Sequence, residues 1–326
     1  MRSFSLSIAH CVGSALLAAS VLAPAAVQAY PDKPVRIIVP FLAGSAPDML
    51  TRTVGEQLSA RWGQPVIVDN RPGASGAIGA QAVKSAAPDG HTLLMAVSSL
   101  VQLPHLLPNT VYDPIVDFAP ISQLGGTHLA LLVNGELPVD DVPGFVEYAK
   151  ARPGQINYAS YGAGSLSHIF GEVFKANHDL DIAHIAYKGD SPALMDLIEG
   201  RVQSAFLSVF LARQFVDNGK IKMLGVTGTT RSPLVPDVPI LKDVGAPGLT
   251  AQGWFGLFAP AGTPDAVLDQ VAIDVQEVLD RPEIREKLLQ SGIVAGNSTR
   301  DVFTDQVKAD YTLYGDLMRR HQISLN

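Results

Sequence analysis

Downstream of Tyr30, apolar residues fall into short β-branched runs that alternate with segments of helical period. Such runs at strand length predict strands, and a 3.6-residue recurrence predicts amphipathic helices. The pattern predicts a strand at Val35–Val39, a helix at Asp48–Trp62, a strand at Val66–Asp69, a helix at Ala74–Ala86 and a strand at Thr92–Ala96. A less regular stretch with Pro104, Pro108, Pro114 and Pro120 follows. Ile121–Val133 is one long apolar run, broken by Gly125-Gly126, and suits a strand passing between lobes. The alternation then resumes. Helices are predicted at Pro143–Ala151, Ser167–Asn177, Ala193–Gly200 and Leu211–Asn218. Strands are predicted at Ile156–Ala159, Ile182–Ala186, Ala205–Ser208 and Met223–Thr227. After a proline-rich connector from Pro233 to Pro247 come a strand at Trp254–Ala259 and helices at Ala266–Leu279, Pro282–Gln290 and Asp301–Arg320.

Strands alternating with helices imply α/β architecture, with parallel strands wrapped by helices. Composition breaks near Gly125 and near Pro247 predict a middle lobe, residues 126–250, inserted into an outer lobe of residues 30–125 and 251–326. The chain would cross twice between lobes, which makes a two-strand hinge. Trp254-Phe255-Gly256 reads as core at that hinge.

One motif occurs in both lobes. A β-branched run meets a Gly/Ser-rich turn and enters a helix, first at Phe41-Leu42-Ala43-Gly44-Ser45-Ala46-Pro47-Asp48 and again at Ser160-Tyr161-Gly162-Ala163-Gly164-Ser165-Leu166-Ser167-His168. The first N–H groups of a helix have no intrahelical acceptor and carry the positive end of the dipole, so each turn is a candidate anion seat. Ligands of open α/β sheets bind beyond the C-terminal ends of strands, where both turns sit. The same turns also serve as ordinary helix caps. Asp48 is either a dipole partner or an acceptor for a ligand ammonium or hydroxyl. Lys188 in Tyr187-Lys188-Gly189 is either a solvated turn lysine or a charge for a carboxylate.

Other chemistries are poorly supported. Arg71-Pro72-Gly73-Ala74-Ser75-Gly76-Ala77-Ile78-Gly79 lacks the G-x-G-x-x-G spacing and the Lys-Ser/Thr of a P-loop, so no nucleotide cofactor is expected. No serine near Gly162 stands as G-x-S-x-G. His168 with Glu172, and His178 and His184 near Asp179 and Asp181, give no recognised metal-ligand spacing.

Composition narrows the partners. The formal net charge of -7 and pI of about 5.6 exclude nucleic acid and anionic membrane as main partners. With 47% hydrophobic and 17% charged residues, the chain can fill two cores. The segment 1–29 reads as a secretory signal, with Arg2, an apolar Ala15–Ala26 and small residues in Val27-Gln28-Ala29. A membrane anchor is the alternative there, but the apolar stretch is short for a span. The single cysteine, Cys11, lies within this segment, so a chain beginning at Tyr30 has no thiol chemistry.

Several blocks, in order, resemble the Bug-type binding proteins, the periplasmic solute receptors of tripartite tricarboxylate transporters. They are Tyr30-Pro31-Asp32-Lys33-Pro34-Val35-Arg36, Gly63-Gln64-Pro65-Val66, Asn70-Arg71-Pro72-Gly73-Ala74, Ala87-Pro88-Asp89-Gly90 and Tyr112-Asp113-Pro114. Further along come Asn157-Tyr158-Ala159-Ser160, Tyr187-Lys188-Gly189, Arg231-Ser232-Pro233, Pro236-Asp237-Val238-Pro239, Trp254-Phe255-Gly256 and Ala259-Pro260-Ala261-Gly262-Thr263-Pro264. The resemblance implies a two-lobe periplasmic binding protein of type II-like fold, each lobe a mixed sheet flanked by helices. It implies a monomer without catalysis that closes on a small carboxylate and delivers it to membrane permease subunits. The rival readings are a secreted α/β enzyme acting on a small acid and a ligand sensor for a signalling system.

Carried over by position, the ligand shell comprises Phe41, Ala43, Gly44, Ser45 and Asp48, with Ser98 and Ser99 after the third strand. The middle lobe supplies Ser160, Gly162, Ala163, Gly164, Ser165, Ser167, His168, Tyr187, Lys188 and Ser208. Three places depart from the family. The turn after Phe41 is commonly Pro-Pro-Gly-Gly-Ser-Thr-Asp, whereas here it loses a hydroxyl pair and gains apolar bulk. Val97-Ser98-Ser99-Leu100 stands where Asn and Gly are usual, and Leu207-Ser208 replaces an Asp-Asn step. The missing carboxylate predicts an aromatic or alkyl mono- or dicarboxylate in preference to an amino acid.

Overall fold

The computed structural model describes residues 30–107 and 109–323, so the segment read as a secretory signal lies outside the described residues. The first half contains β1 (Val35–Val39), α1 (Ala46–Trp62), β2 (Val66–Asn70), α2 (Ala77–Lys84), β3 (Thr92–Val97), α3 (Ser99–Leu106) and β4 (Phe118–Thr127). Next come β5 (Leu129–Asn134), α4 (Val142–Lys150), β6 (Ile156–Ser160), α5 (Leu166–Asn177), β7 (Ile182–Ala186), α6 (Asp190–Ile198), β8 (Ser204–Ser208), α7 (Val209–Val216) and β9 (Ile221–Val226). The chain ends with β10 (Gly253–Pro260), α8 (Asp265–Leu279), α9 (Pro282–Gln290), β11 (Val294–Ala295) and α10 (Arg300–Arg320).

These strands form two mixed sheets, in the orders β11-β4-β10-β3-β1-β2 and β7-β6-β8-β5-β9. The βαβ units make the parallel parts, β1 with β2 and β3, and β6 with β7 and β8. The strands on either side of a crossing between sheets run antiparallel to their neighbours.

Both faces of each sheet are covered, which explains the near-continuous apolar strands. Val35, Ile37 and Val39 pack with Leu50, Val54 and Leu58 of α1 and with Leu268, Val271 and Val275 of α8. Ile38, one residue out of phase, joins Phe303 and Val307 of α10 on the opposite face. That second core runs on without interruption into Phe145, Phe170, Phe174 and Phe206 beneath the other sheet. Each fully buried side chain of this size contributes roughly 1.5–3 kcal/mol.

Ile121–Val133 is two strands rather than one. β4 belongs to the first sheet and β5 to the second, and the break falls at His128 rather than at Gly125-Gly126. Gly125 and Gly126 remain within β4, where a Cβ on Gly125 would lie 2.5 Å from Ile293. The return crossing packs beside the first, since Gln252 Nε2 lies 2.6 Å from His128 Nε2 and Thr227 N–H donates to the Leu129 carbonyl. Trp254 is buried at this junction and donates from Nε1 to Asp310 Oδ2 at 2.9 Å.

α3 occupies the stretch that its prolines marked as irregular. Pro104 cannot donate to the carbonyl of Leu100 four residues back. The Tyr112 hydroxyl donates to that carbonyl instead, at 3.1 Å, so the helix continues through the proline. At α2 the glycines have the opposite effect. The predicted start at Ala74 is a single 3-10 turn, Ala74–Gly76, because Gly73 and Gly76 both take positive φ.

Gly171 within α5 faces the fully buried Tyr158, and a Cβ there would sit 2.0 Å from its ring. Helix propensity favours Gly171→Ala by about 1 kcal/mol. The clash opposes it, at about 1–3 kcal/mol where the core cannot yield. Gly171→Ala is therefore expected to lower the thermal midpoint. A raised midpoint in a calorimetric scan would show that the Tyr158 ring yields without cost.

Candidate functional site

Strand register places both glycine turns at the junction between sheets. β1, β2 and β3 run parallel, so their C-terminal ends share one edge. β10 pairs antiparallel to β3, with Phe255 opposite Val97, which brings the crossing segment to that edge. In the second sheet, β6 and β7 end level at Ser160 and Ala186, and the parallel β8 runs on past them to Ser208. Leu129, just past the first crossing, pairs with Ser208. The turns after β1 and β6 thus lie at the two edges that meet where the chain crosses.

The turn after β6 is tied to its own helix. Gly164, at φ 73°, donates its N–H to His168 Nδ1 at 3.0 Å. Ser165 caps α5, accepting from His168 N–H, and its hydroxyl donates to the Gly162 carbonyl at 2.6 Å. Ser167 is fully buried and donates to the Phe206 carbonyl, which joins the helix to β8. The Tyr161 hydroxyl faces the N–H groups of Ser167 and Leu166. Ala163, between the two glycines, is exposed.

His168 must be neutral at Nδ1 to accept the Gly164 N–H. Its ring stacks on His184 with centroids 4.0 Å apart, and His184 stacks in turn on Tyr158. Burial lowers the pKa of His168. Burial, and then the neighbouring His168, pull His184 down to about 4. Ser160 Oγ lies 2.7 Å from His184 Nε2 and also accepts the Gly162 N–H.

The turn after β1 repeats the device with a carboxylate. Gly44, at φ 81°, donates its N–H to Asp48 Oδ2 at 2.8 Å, again four residues ahead. Asp48 is buried and also accepts from Arg52 Nε and from Asn70 Nδ2. Burial acts to raise this carboxyl, but the bonds from Arg52, Gly44 and Asn70 outweigh it and hold it below the ordinary range. Ser45 donates its hydroxyl to the Leu42 carbonyl, and Leu42 itself is 70% exposed. Pro40, Phe41, Ala96, Val97, Ser99 and Leu100 line a small apolar cavity of about 10 Å³ beside this turn.

The remaining predicted residues are placed as follows. Ser98 is buried, and its N–H donates to the Trp254 carbonyl. Ser208 N–H donates to Asp190 Oδ1 at 3.1 Å. Tyr187 directs its hydroxyl to Asp196, away from the β6 turn. Lys188 is exposed. Among the described residues no three His, Cys, Asp or Glu side chains cluster to hold a metal, and no helix is long and apolar enough to cross a membrane.

A family model described as the tripartite tricarboxylate transporter family receptor matches residues 50–311. The chain belongs to this receptor family. Protein BugT of Bordetella pertussis is 31% identical over 91% of this chain and 93% of its own. Rpa4515 of R. palustris, solved with adipate, superposes with a TM-score of 0.76 at 30% identity, covering 90% of this chain and 99% of that one. MatC of Rhodopseudomonas palustris, solved with malate, gives 0.72 at 29%, covering 88% and 99%. The family and its structural neighbours are binding proteins, not enzymes, and the two mixed sheets flanked by helices match the expected receptor fold.

Three residues placed beside these turns escaped the sequence reading. Tyr161 lies between Ser160 and Gly162, and its carbonyl accepts the Gly189 N–H at 3.1 Å. Asn70 closes β2 and reaches across to Asp48 and to the Phe41 carbonyl. Asp190 opens α6, three residues before the predicted start at Ala193. The block Tyr187-Lys188-Gly189, directly before it, was the only available signal.

Asp48→Ala would strand the Gly44 N–H, Asn70 and Arg52, at a cost of about 2–3 kcal/mol for charge-assisted bonds of this kind. Faster amide exchange across 41–45 is expected. Unchanged exchange would show that the turn holds its shape without the carboxylate.

His184 has an opposite effect on stability from Asp190. With the folded value of His184 depressed from 6.5 to about 4, its contribution is present above pH 6.5 and is lost as pH falls through that window. Burial pushes Asp190 up to about 6, so its contribution is present below about pH 4 and is lost as pH rises through 6. His184→Gln should therefore flatten the fall of the thermal midpoint between pH 6.5 and 4. A variant curve parallel to that of the unmodified protein would remove His184 from the acid response.

Proposed function

We propose that this chain is a periplasmic solute receptor that closes on a small organic carboxylate and delivers it to the membrane subunits of a tripartite transporter. Residues 30–127 and 251–326 form the outer lobe, residues 128–250 the inserted lobe, two residues later than the glycine pair suggested, and segment 1–29 directs export. The receptor acts as a monomer. One observation carries the reading: in a member of this receptor family, two glycine turns of the same construction lie at the two sheet edges that meet at the crossings. The adipate and malate held by two neighbours support a carboxylate as ligand.

The ligand shell is the set of turn residues on both edges. Ser45, Ser99, Ser160, Ser165 and Ser208 supply hydroxyls, and the Ala163 and Gly164 backbone supplies close approach. Phe41, Ala43 and the exposed Leu42 give the outer side apolar character. The body of the acid is therefore aromatic or alkyl. Closure is a population shift driven by contacts that the ligand makes with both edges at once.

Native mass spectrometry of the purified protein should show one bound small acid, and isothermal titration should give one site per chain without turnover. Gly164 holds a left-handed φ that a β-branched residue resists. Gly164→Val should weaken binding at least tenfold, about 1.4 kcal/mol. Equal affinity in this folded variant would place the carboxylate elsewhere.

A further inference from the structure

The well-buried or half-buried acids of this chain are mostly paired. Asp48 has Arg52, Gly44 and Asn70, Asp196 has Arg201 and Tyr187, and Asp274 has Arg61, Trp62 and Gln270. Asp190 differs. Its Oδ1 accepts one backbone N–H, from Ser208, and among the described residues no donor reaches Oδ2 and no cation pairs with it. Burial raises this carboxyl because nothing positive offsets the loss of solvent.

Its place in the fold makes this significant. Asp190 follows β7, Ser208 ends β8 and Tyr161 follows β6, so the three stand together at the C-terminal edge of the parallel strands. The N–H of Gly189, directly before Asp190, donates to the Tyr161 carbonyl at 3.1 Å, which sets the start of α6 against the turn that leads into α5. A carboxylate short of donors thus stands at the same edge as the positively polarised start of α5. That layout is complementary to a group carrying a carboxylate and an ammonium on one carbon. The missing acid after β8 is thereby replaced from another element: Leu207-Ser208 carries none, and α6 delivers one to the Ser208 N–H.

We propose that Asp190 makes this receptor select an amino acid with an apolar side chain over the plain acid of the same shape. The inference rests on the carboxylate-receptor reading above and adds the ligand's second group. The ammonium pairs with Asp190, the carboxylate lies toward the α5 turn, and the side chain lies toward Phe41 and Leu42. A second carboxylate in place of the ammonium would meet Asp190 as a like charge.

Isothermal titration with matched probes tests this: leucine against 4-methylpentanoate, phenylalanine against 3-phenylpropanoate, and aspartate against succinate. The unmodified protein should bind leucine or phenylalanine at least tenfold tighter than its plain counterpart. Asp190→Asn keeps an oxygen for the Ser208 N–H and should abolish that preference. Asp190→Ser, checked for folding by circular dichroism, should do the same. Plain acids binding as well as amino acids, or a preference that survives both variants, would overturn the role of Asp190 and leave the carboxylate reading standing. Binding of none of the six probes, together with native mass spectra free of any co-purified acid, would overturn the carboxylate reading and this inference with it.

Discussion

Backbone N–H groups at the start of a helix need acceptors from outside the helical ladder, and this requirement shapes both glycine turns. Each turn solves it in the same way. A glycine in the left-handed region directs its N–H at a side chain four residues ahead, Asp48 for Gly44 and His168 for Gly164. The turn and its helix become one unit, and the rest of the site depends on that unit being held in place. Asn70 and Arg52 fix Asp48 on one side. The stack of His184 and Tyr158 fixes His168 on the other.

The two solutions differ in charge, and the difference bears on recognition. Asp48 is satisfied by Gly44, Arg52 and Asn70, so the outer turn presents little free charge. His168 and His184 are kept neutral mainly by burial, so the inner turn offers N–H groups and hydroxyls rather than cations. The polarity at this turn is thus that of backbone and hydroxyl groups, which act locally whatever the net charge of the chain. Asp190 is the exception, a half-buried carboxyl that lacks a cation at the same edge.

Much of the architecture was legible because apolar patterning reports burial directly. β1 and β3 are apolar on both faces, as parallel strands between helix layers must be. Legibility failed where one segment borrowed a hydrogen bond from another. Pro104 marks a break to any local rule, yet the Tyr112 hydroxyl takes the place of its missing N–H and α3 continues. In the run Ile121–Val133, hydropathy alone could not show that the residues on either side of His128 pair in different sheets.

By itself, the sequence determined the order of strands and helices, the two glycine turns and the family they belong to, because propensity, periodicity and motif order act along the chain. The tertiary structure alone decided which groups those turns face. Asp48 became a brace when Asn70 arrived from β2, and the carboxyl absent after β8 came back from the start of α6. Both are contacts between segments distant in sequence. Their energies depend on through-space distance and desolvation, which no local pattern encodes.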